Sequence, residues 1–239
     1  MKKLQDIVLM MVFVLIYSTS IFSQKETAAI LLDKVSNFYR KTAQYQIDMN
    51  YKMLKGLTGN EVTESYSGAL VKNHQASQFT MANTEMVTIA NEQLVIDNDQ
   101  KLIILRKSEQ EAMTSVIDVN SFLEYYQESD ITNEGGYLKC ELIAKPEKMS
   151  LPYAKIILFV NPNDYSVAKQ ELYFSSQLPF KLDTGLERDF GRMLIEMKTR
   201  EIGNAPKLSF DAYFQKKESD QKQLVDRYKG YEFIDETKR

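Results

Sequence analysis

From Tyr45 to Met53 the chain alternates without a break. Tyr45, Ile47, Met49, Tyr51 and Met53 fall on one parity, and Gln46, Asp48, Asn50 and Lys52 on the other. Period two sends successive side chains to opposite faces of a strand, so this segment has one apolar and one polar face. Wound as a helix it would scatter both. A strand of that kind needs a sheet around it, and shorter candidates follow closely: Tyr66–Val71, Gln78–Met81, Met86–Ala90 and Leu94–Ile96. The cluster Asp97-Asn98-Asp99-Gln100 is a turn, and Lys101–Leu105 returns from it as the second arm of a hairpin. Short strands joined by turns build an antiparallel meander rather than a series of parallel crossovers.

Helical spacing is found mainly in two places. Residues Glu26–Arg40 carry Ile30, Leu31, Val35 and Phe38 among polar neighbours, one apolar stripe with Thr27 positioned as N-cap. Val116–Gln127, with Val119, Phe122, Leu123 and Tyr126, reads as a second, shorter helix. Strands then resume at Tyr137–Ala144, Ala154–Asn161 and Val167–Phe174, the last two joined by a Pro162-Asn163-Asp164 turn. A polar loop leads to Arg192–Thr199, the last clear strand, and from Gly203 the pattern is charged and irregular.

The first residues read as an address. Met1-Lys2-Lys3 is basic, Ile7–Tyr17 is uncharged and apolar, and Ser18-Thr19-Ser20-Ile21-Phe22-Ser23-Gln24 brings in small residues suited to cleavage, the order of a secretory signal peptide cleaved near residues 20–24. The apolar run is shorter than the ~20 residues a spanning helix needs, and an uncleaved anchor is the competing reading. Cys140 is the only cysteine, so no lipid-modified cysteine follows the leader and no disulfide forms within the chain. Residues 25–239 must then be held by a core, and they are enough for one sizeable domain. Losing the leader, with Lys2, Lys3 and Asp6, takes the formal net charge from −3 to −4. A mildly acidic chain is not built for nucleic acid or for an anionic membrane surface.

Catalytic chemistry finds little to use. With one histidine, His74, and one cysteine, the usual zinc sites cannot form and any triad would have to pass through His74. His74 lies in the polar run Lys72-Asn73-His74-Gln75, which reads as an exposed turn. Cys140, in a strand between Lys139 and Glu141, reads as a small buried residue. Asp97 and Asp99 lack the spaced oxygen ligands and closing glutamate of a calcium loop. No phosphate loop or nucleophile elbow is present, and the sequence implies neither cofactor, metal nor catalytic residue. Methionines do recur on or near the strands, at Met49, Met53, Met81, Met86, Met193 and Met197. Such side chains suit a surface that accepts varied apolar shapes, and they equally suit an ordinary core.

The order of elements resembles the LolA-like family of periplasmic lipoprotein carriers. The similar parts are the leading helix ending in Leu32-Asp33-Lys34-Val35-Ser36-Asn37-Phe38-Tyr39, the long strand after it, and Ser67-Gly68-Ala69-Leu70-Val71-Lys72 running into Phe79-Thr80-Met81. Ile89-Ala90-Asn91-Glu92-Gln93-Leu94, the late pair Lys155–Asn161 and Val167–Glu171, and the closing Gly230–Asp235 continue the likeness. It covers most of the chain after the leader, and its strength lies in order and spacing.

The resemblance implies an α+β fold: a strongly curved, half-open antiparallel sheet, an incomplete barrel, with a helical lid over a hydrophobic concavity. It implies a monomeric carrier that binds the acyl chains of lipoproteins or other lipids for transfer to the outer membrane. An inner-membrane transporter would release the cargo, and an outer-membrane acceptor would take it. A non-catalytic protein-binding or structural module of the envelope on the same fold is the alternative. The implied liners are Leu31, Val35 and Phe38 from the helix, with Tyr45, Ile47, Met49, Tyr51, Leu70, Phe79, Met81, Ile89, Ile96, Ile104 and Phe159 from the sheet. The family places an arginine after the lysine that Lys72 matches, tying the lid closed. Here that position is Asn73, whose amide can donate to lid carbonyls without charge assistance, at roughly half the strength.

Overall fold

The computed structural model describes residues 26–108, 119, 122–148, 150–182, 185–215 and 222–237. The expected leader lies outside them. One helix, α1 (Ala28–Lys41), leads into a sheet of twelve strands. Along the chain these are β1 (Gln44–Lys55), β2 (Val62–Asn73), β3 (Ala76–Met81), β4 (Thr84–Ile89), β5 (Glu92–Asp97) and β6 (Leu102–Lys107). A short helix, α2 (Phe122–Tyr125), precedes β7 (Tyr126–Glu134), β8 (Tyr137–Ala144), β9 (Tyr153–Val160) and β10 (Val167–Phe174). A separate hairpin, β11 (Leu178–Leu182) and β12 (Gly185–Asp189), is followed by β13 (Gly191–Glu201) and β14 (Glu232–Asp235).

The spatial order is β14-β6-β5-β4-β3-β2-β1-β13-β10-β9-β8-β7. Two meanders, β1–β6 and β7–β10, thus meet through β13, which pairs with β1 on one side and β10 on the other. The result is a large curved antiparallel sheet with few helices. Its one parallel pair is β14 against β6.

Thr27 caps α1 by accepting the Ile30 N–H, and Arg40 and Lys41 in the last turn suit the negative end of the helix dipole. The stripe Ala28, Leu31, Leu32, Val35 and Tyr39 is buried, packed on one sheet face with Tyr45, Ile47, Met49, Leu70, Cys140, Leu142, Leu158 and Met197. A second cluster lies on the other face of β4–β6. There Val87, Leu94, Ile96, Ile103 and Leu105 are covered by Tyr213, Phe214 and Tyr228 of the C-terminal segment.

Three expectations change. Of the expected Val116–Gln127 helix, residues 116–118 and 120–121 lie outside the described residues; Phe122–Tyr125 is helical, and from Tyr126 the chain pairs with β8 and becomes an edge strand. The polar loop before β13 holds the β11–β12 hairpin, anchored by Phe180, which is buried against Gly191. The irregular C-terminal stretch ends in β14, whose short run borrows its partner from β6.

Glycine matters at one close approach. A Cβ on Gly68 would lie 2.8 Å from the Thr80 carbonyl oxygen and 3.4 Å from the Tyr51 ring. The bare backbone therefore lets β2 and β3 close up beneath an aromatic side chain.

The staggered covers predict a contrast in stability. Leu70→Ala, beneath α1, should destabilise the fold by about 2–5 kcal/mol. Leu186→Ala, on the hairpin with a side chain 74% exposed, should change it by less than about 0.5 kcal/mol. Urea melts of the two variants decide this, and equal midpoints would remove Leu70 from the core.

Candidate functional site

Residues directly opposite one another on neighbouring strands share a face, so the registers map the surface beneath α1 row by row. Ile47 pairs with Leu70, Leu70 with Phe79, Phe79 with Met86, Met86 with Val95 and Val95 with Ile104. Ile234 of β14 continues the row beside Ile104. One apolar ladder thus crosses seven strands. Its first two members, Ile47 and Leu70, are fully buried beneath α1. Phe79, Met86, Val95, Ile104 and Ile234 are half-buried.

A polar row runs alongside: Tyr45, Lys72, Ser77, Thr88, Gln93 and Arg106. The Arg106 guanidinium donates twice to Gln93 Oε1, at 2.9 and 2.6 Å, and the Gln93 amide donates to Thr88 Oγ1 at 3.3 Å. On the other side of the ladder lie Met49, Gly68, Met81 and Thr84. The face is therefore an apolar track with one hydrogen-bonding margin and one soft, methionine-bearing margin.

Both ends of α1 are held by charged side chains from the sheet. Glu128 of β7 accepts the Ala28 N–H at 2.6 Å, and Lys72 of β2 donates to the Tyr39 carbonyl at 2.9 Å. The Lys72 ammonium also sits 5.3 Å from the centre of the Tyr45 ring, and burial holds its pKa below the usual lysine range. Burial likewise raises the Tyr39 and Tyr45 phenols. The Tyr39 hydroxyl accepts the Val167 N–H and shares a hydrogen bond with Thr199 Oγ1.

The expected liners divide. Leu31, Val35, Tyr45, Ile47, Met49 and Leu70 come together beneath α1, with Phe38, Tyr51 and Phe79 packed against them. Ile104 joins the half-buried ladder. Met81 is on the same face but 37% exposed. Ile89 and Ile96 belong instead to the opposite face, under the C-terminal segment. Phe159 also points away from α1: Leu158 and Val160 take the helix side, and Phe159 lies under the Lys169 ammonium, 3.6 Å from its ring centre.

Met86, Val95 and Ile234 are ladder members absent from the expected liners. The parity of Met86 and Val95 could not be read because β4 and β5 carry apolar residues on both faces. Asn73 donates to the carbonyls of Pro206 at 3.0 Å and Ala205 at 3.5 Å, on the segment after β13, while accepting from Gln44.

The remaining candidates are structural in their surroundings. His74 occupies the exposed β2–β3 turn at φ 55°. Asp97 Oδ1 accepts the N–H groups of Asp99 and Gln100, which closes the β5–β6 turn. No group of three or more metal-ligating side chains is found among the described residues. No described helix is long and apolar enough to cross a membrane.

No protein-family model matches the chain, and no curated protein matches it. Solved structures similar to it include a DUF1329 family protein from Desulfovibrio piger, at 12% identity and a TM-score of 0.39, covering 78% of this chain and 96% of that one. A LolA superfamily protein from Nitrosomonas europaea is similar at 12% identity and a TM-score of 0.33, covering 76% and 96%. The MucA/MucB complex of Pseudomonas aeruginosa is similar at 11% identity and 0.39, covering 83% of this chain and 63% of that one. At these values the assignment of any residue rests on the geometry above.

Cys140 gives a check on the face beneath α1. Burial, with the Glu128 and Glu141 carboxylates adding to it, pushes the thiol up to about 12. The native fold then holds this proton more tightly than the unfolded chain does. The thiol's contribution to stability is intact below about pH 8.5 and is lost as pH climbs toward the folded value. Native protein at pH 8 should leave Cys140 unreacted with a thiol-specific disulfide reagent, and urea should release one equivalent. Rapid labelling of native protein would place the thiol outside the packed face.

Proposed function

We propose that this chain is an exported, non-catalytic carrier that shelters the acyl chains of lipoproteins or other lipids against the face beneath α1. Residues 25–239 would act as one diffusing unit in the periplasm, delivering cargo to the outer membrane. The observation that carries the reading is the apolar ladder from Ile47 to Ile104: it starts under the helix and continues, half-buried, beyond it. A strip of that kind excludes water from a long flexible chain by dispersion and burial, with about 0.8 kcal/mol per methylene removed from water. The polar row at its side supplies a margin where a headgroup could stay hydrated. The resemblance in element order to lipoprotein carriers supports the same reading.

The release and acceptance steps would need one partner at each membrane, and Asn73 would hold the segment after β13 through neutral hydrogen bonds. In the alternative, the same fold is a protein-binding or structural module whose face is filled by its own side chains. Its supporting observation is that Leu31, Leu32 and Val35 are already fully buried.

Native mass spectrometry of protein taken from the cell envelope separates the two. The carrier should retain bound lipid or take up an acylated peptide. A protein that is empty and has no affinity for the peptide would be the self-filled module. On the carrier reading, Val95→Asp places a charge on the half-buried ladder and should weaken acyl-peptide binding about tenfold or more, since tenfold needs only ~1.4 kcal/mol. Lys169→Ala, on the opposite face, should leave binding within about twofold.

A further inference from the structure

Ser36 lies on the buried stripe of α1, one turn after Leu32 and shortly before Tyr39, both of them fully buried or nearly so. Its own residue exposure is 3%, and its hydroxyl oxygen has no hydrogen-bond partner. The polar groups nearby in the same layer do have partners. The Tyr39 hydroxyl is bonded to Val167 N–H and Thr199, and the Lys72 ammonium is bonded to the Tyr39 carbonyl. A serine within a helix ordinarily donates to the carbonyl four residues back, and that bond is not made here. Alanine at this position would be the better helix former and would bury no polar group. The ligand-free fold therefore gains nothing from this hydroxyl.

We propose that Ser36 is a specificity determinant whose hydroxyl donates to the carbonyl oxygen of a neutral acyl ester or amide lying against the face beneath α1. The assignment rests on the carrier reading and deepens it. A single buried donor in an apolar layer matches a single neutral acceptor at the end of an apolar chain. An alkane offers no acceptor. An ionised carboxylate would be buried without a free counter-charge, because the cations of the polar row are already engaged, Lys72 by the Tyr39 carbonyl and the Tyr45 ring and Arg106 by Gln93 Oε1.

Two probes of equal chain length test this: glycerol monopalmitate, an ester, and glycerol monohexadecyl ether, which lacks the carbonyl. The wild-type protein should prefer the ester about tenfold, the size of one hydrogen bond to an otherwise unpaired buried donor. In Ser36→Ala the preference should fall to within about twofold, through loss of ester affinity with ether affinity kept. Palmitate at pH 8 should bind the wild type more weakly than the ester does. Without ligand, Ser36→Ala should unfold at a temperature no lower than wild type. A lower one would mean that the hydroxyl already has a partner, which overturns the assignment. Equal affinity of wild type for ester and ether, survival of the preference in the variant, or tighter binding of palmitate also overturns it while leaving the carrier reading standing. Failure of the wild type to bind either probe overturns the carrier reading itself, and the assignment falls with it.

Discussion

The structure depends on how α1 is held. A helix leaves unpaired N–H groups at one end and unpaired carbonyls at the other, with a dipole that favours an anion at the first and a cation at the second. Both demands are met from the sheet: Glu128 takes the Ala28 N–H, and Lys72 reaches the Tyr39 carbonyl. These two side chains stand on β7 and β2, at opposite ends of a run of seven neighbouring strands. The helix thereby ties the late meander to the early one. Between the clamps, its apolar stripe seals the layer that contains Cys140 and the buried tyrosines.

A consequence is that the two faces of the sheet are covered in different places. α1 covers one face over the middle and late strands, and the C-terminal segment covers the other face over β4–β6. The Tyr213 hydroxyl bonded to Glu85, the stacked rings of Tyr213 and Tyr228, and the Lys222–Glu92 ion pair hold that second cover in place. The ladder from Phe79 to Ile104 is what the first cover leaves half-buried. It arises from the mismatch between one 14-residue helix, about 21 Å long at 1.5 Å per residue, and a sheet much wider than that.

A strand apolar on one face alone shows its period in the sequence, and a strand apolar on both faces hides it. The segment Tyr45–Met53 was legible because only its α1 side is buried, and the hairpin turns were legible from their Asn, Asp and Gly content. β4 and β6, read as Thr-Glu-Met-Val-Thr-Ile and Leu-Ile-Ile-Leu-Arg-Lys, carry apolar residues on both parities. One face of these strands packs under the C-terminal segment and the other carries the half-buried ladder, so parity did not tell the faces apart, and Ile89 on β4 and Ile96 on β5 were expected on the ladder side. β7 escaped notice for the opposite reason: as an edge strand it is mostly polar and exposed. β14 has too few residues to show any period, and it exists because β6 offers a free edge. The clamps on α1 could not be read at all, since Glu128 stands 100 residues from Ala28.

On the carrier reading, the buried helix and the half-buried ladder also set the energetics of uptake. Lifting α1 away would expose Leu31, Leu32, Val35 and Tyr39, at about 1.5–3 kcal/mol for each large apolar side chain, or roughly 6–12 kcal/mol together. It would break the Glu128 and Lys72 bonds as well. An acyl chain inserted between α1 and the sheet would return about 0.8 kcal/mol per buried methylene. A chain of roughly eight methylenes recovers only the lower bound of that cost, whereas one of roughly fourteen approaches the upper. On that reading, short chains would be confined to the half-buried ladder, where no displacement of α1 is needed, and only long ones would carry enough apolar length to compete with the helix for the layer beneath it. The same balance fits the packing beneath α1: the helix is itself the apolar occupant of that layer, held at its two ends by the Glu128 and Lys72 contacts.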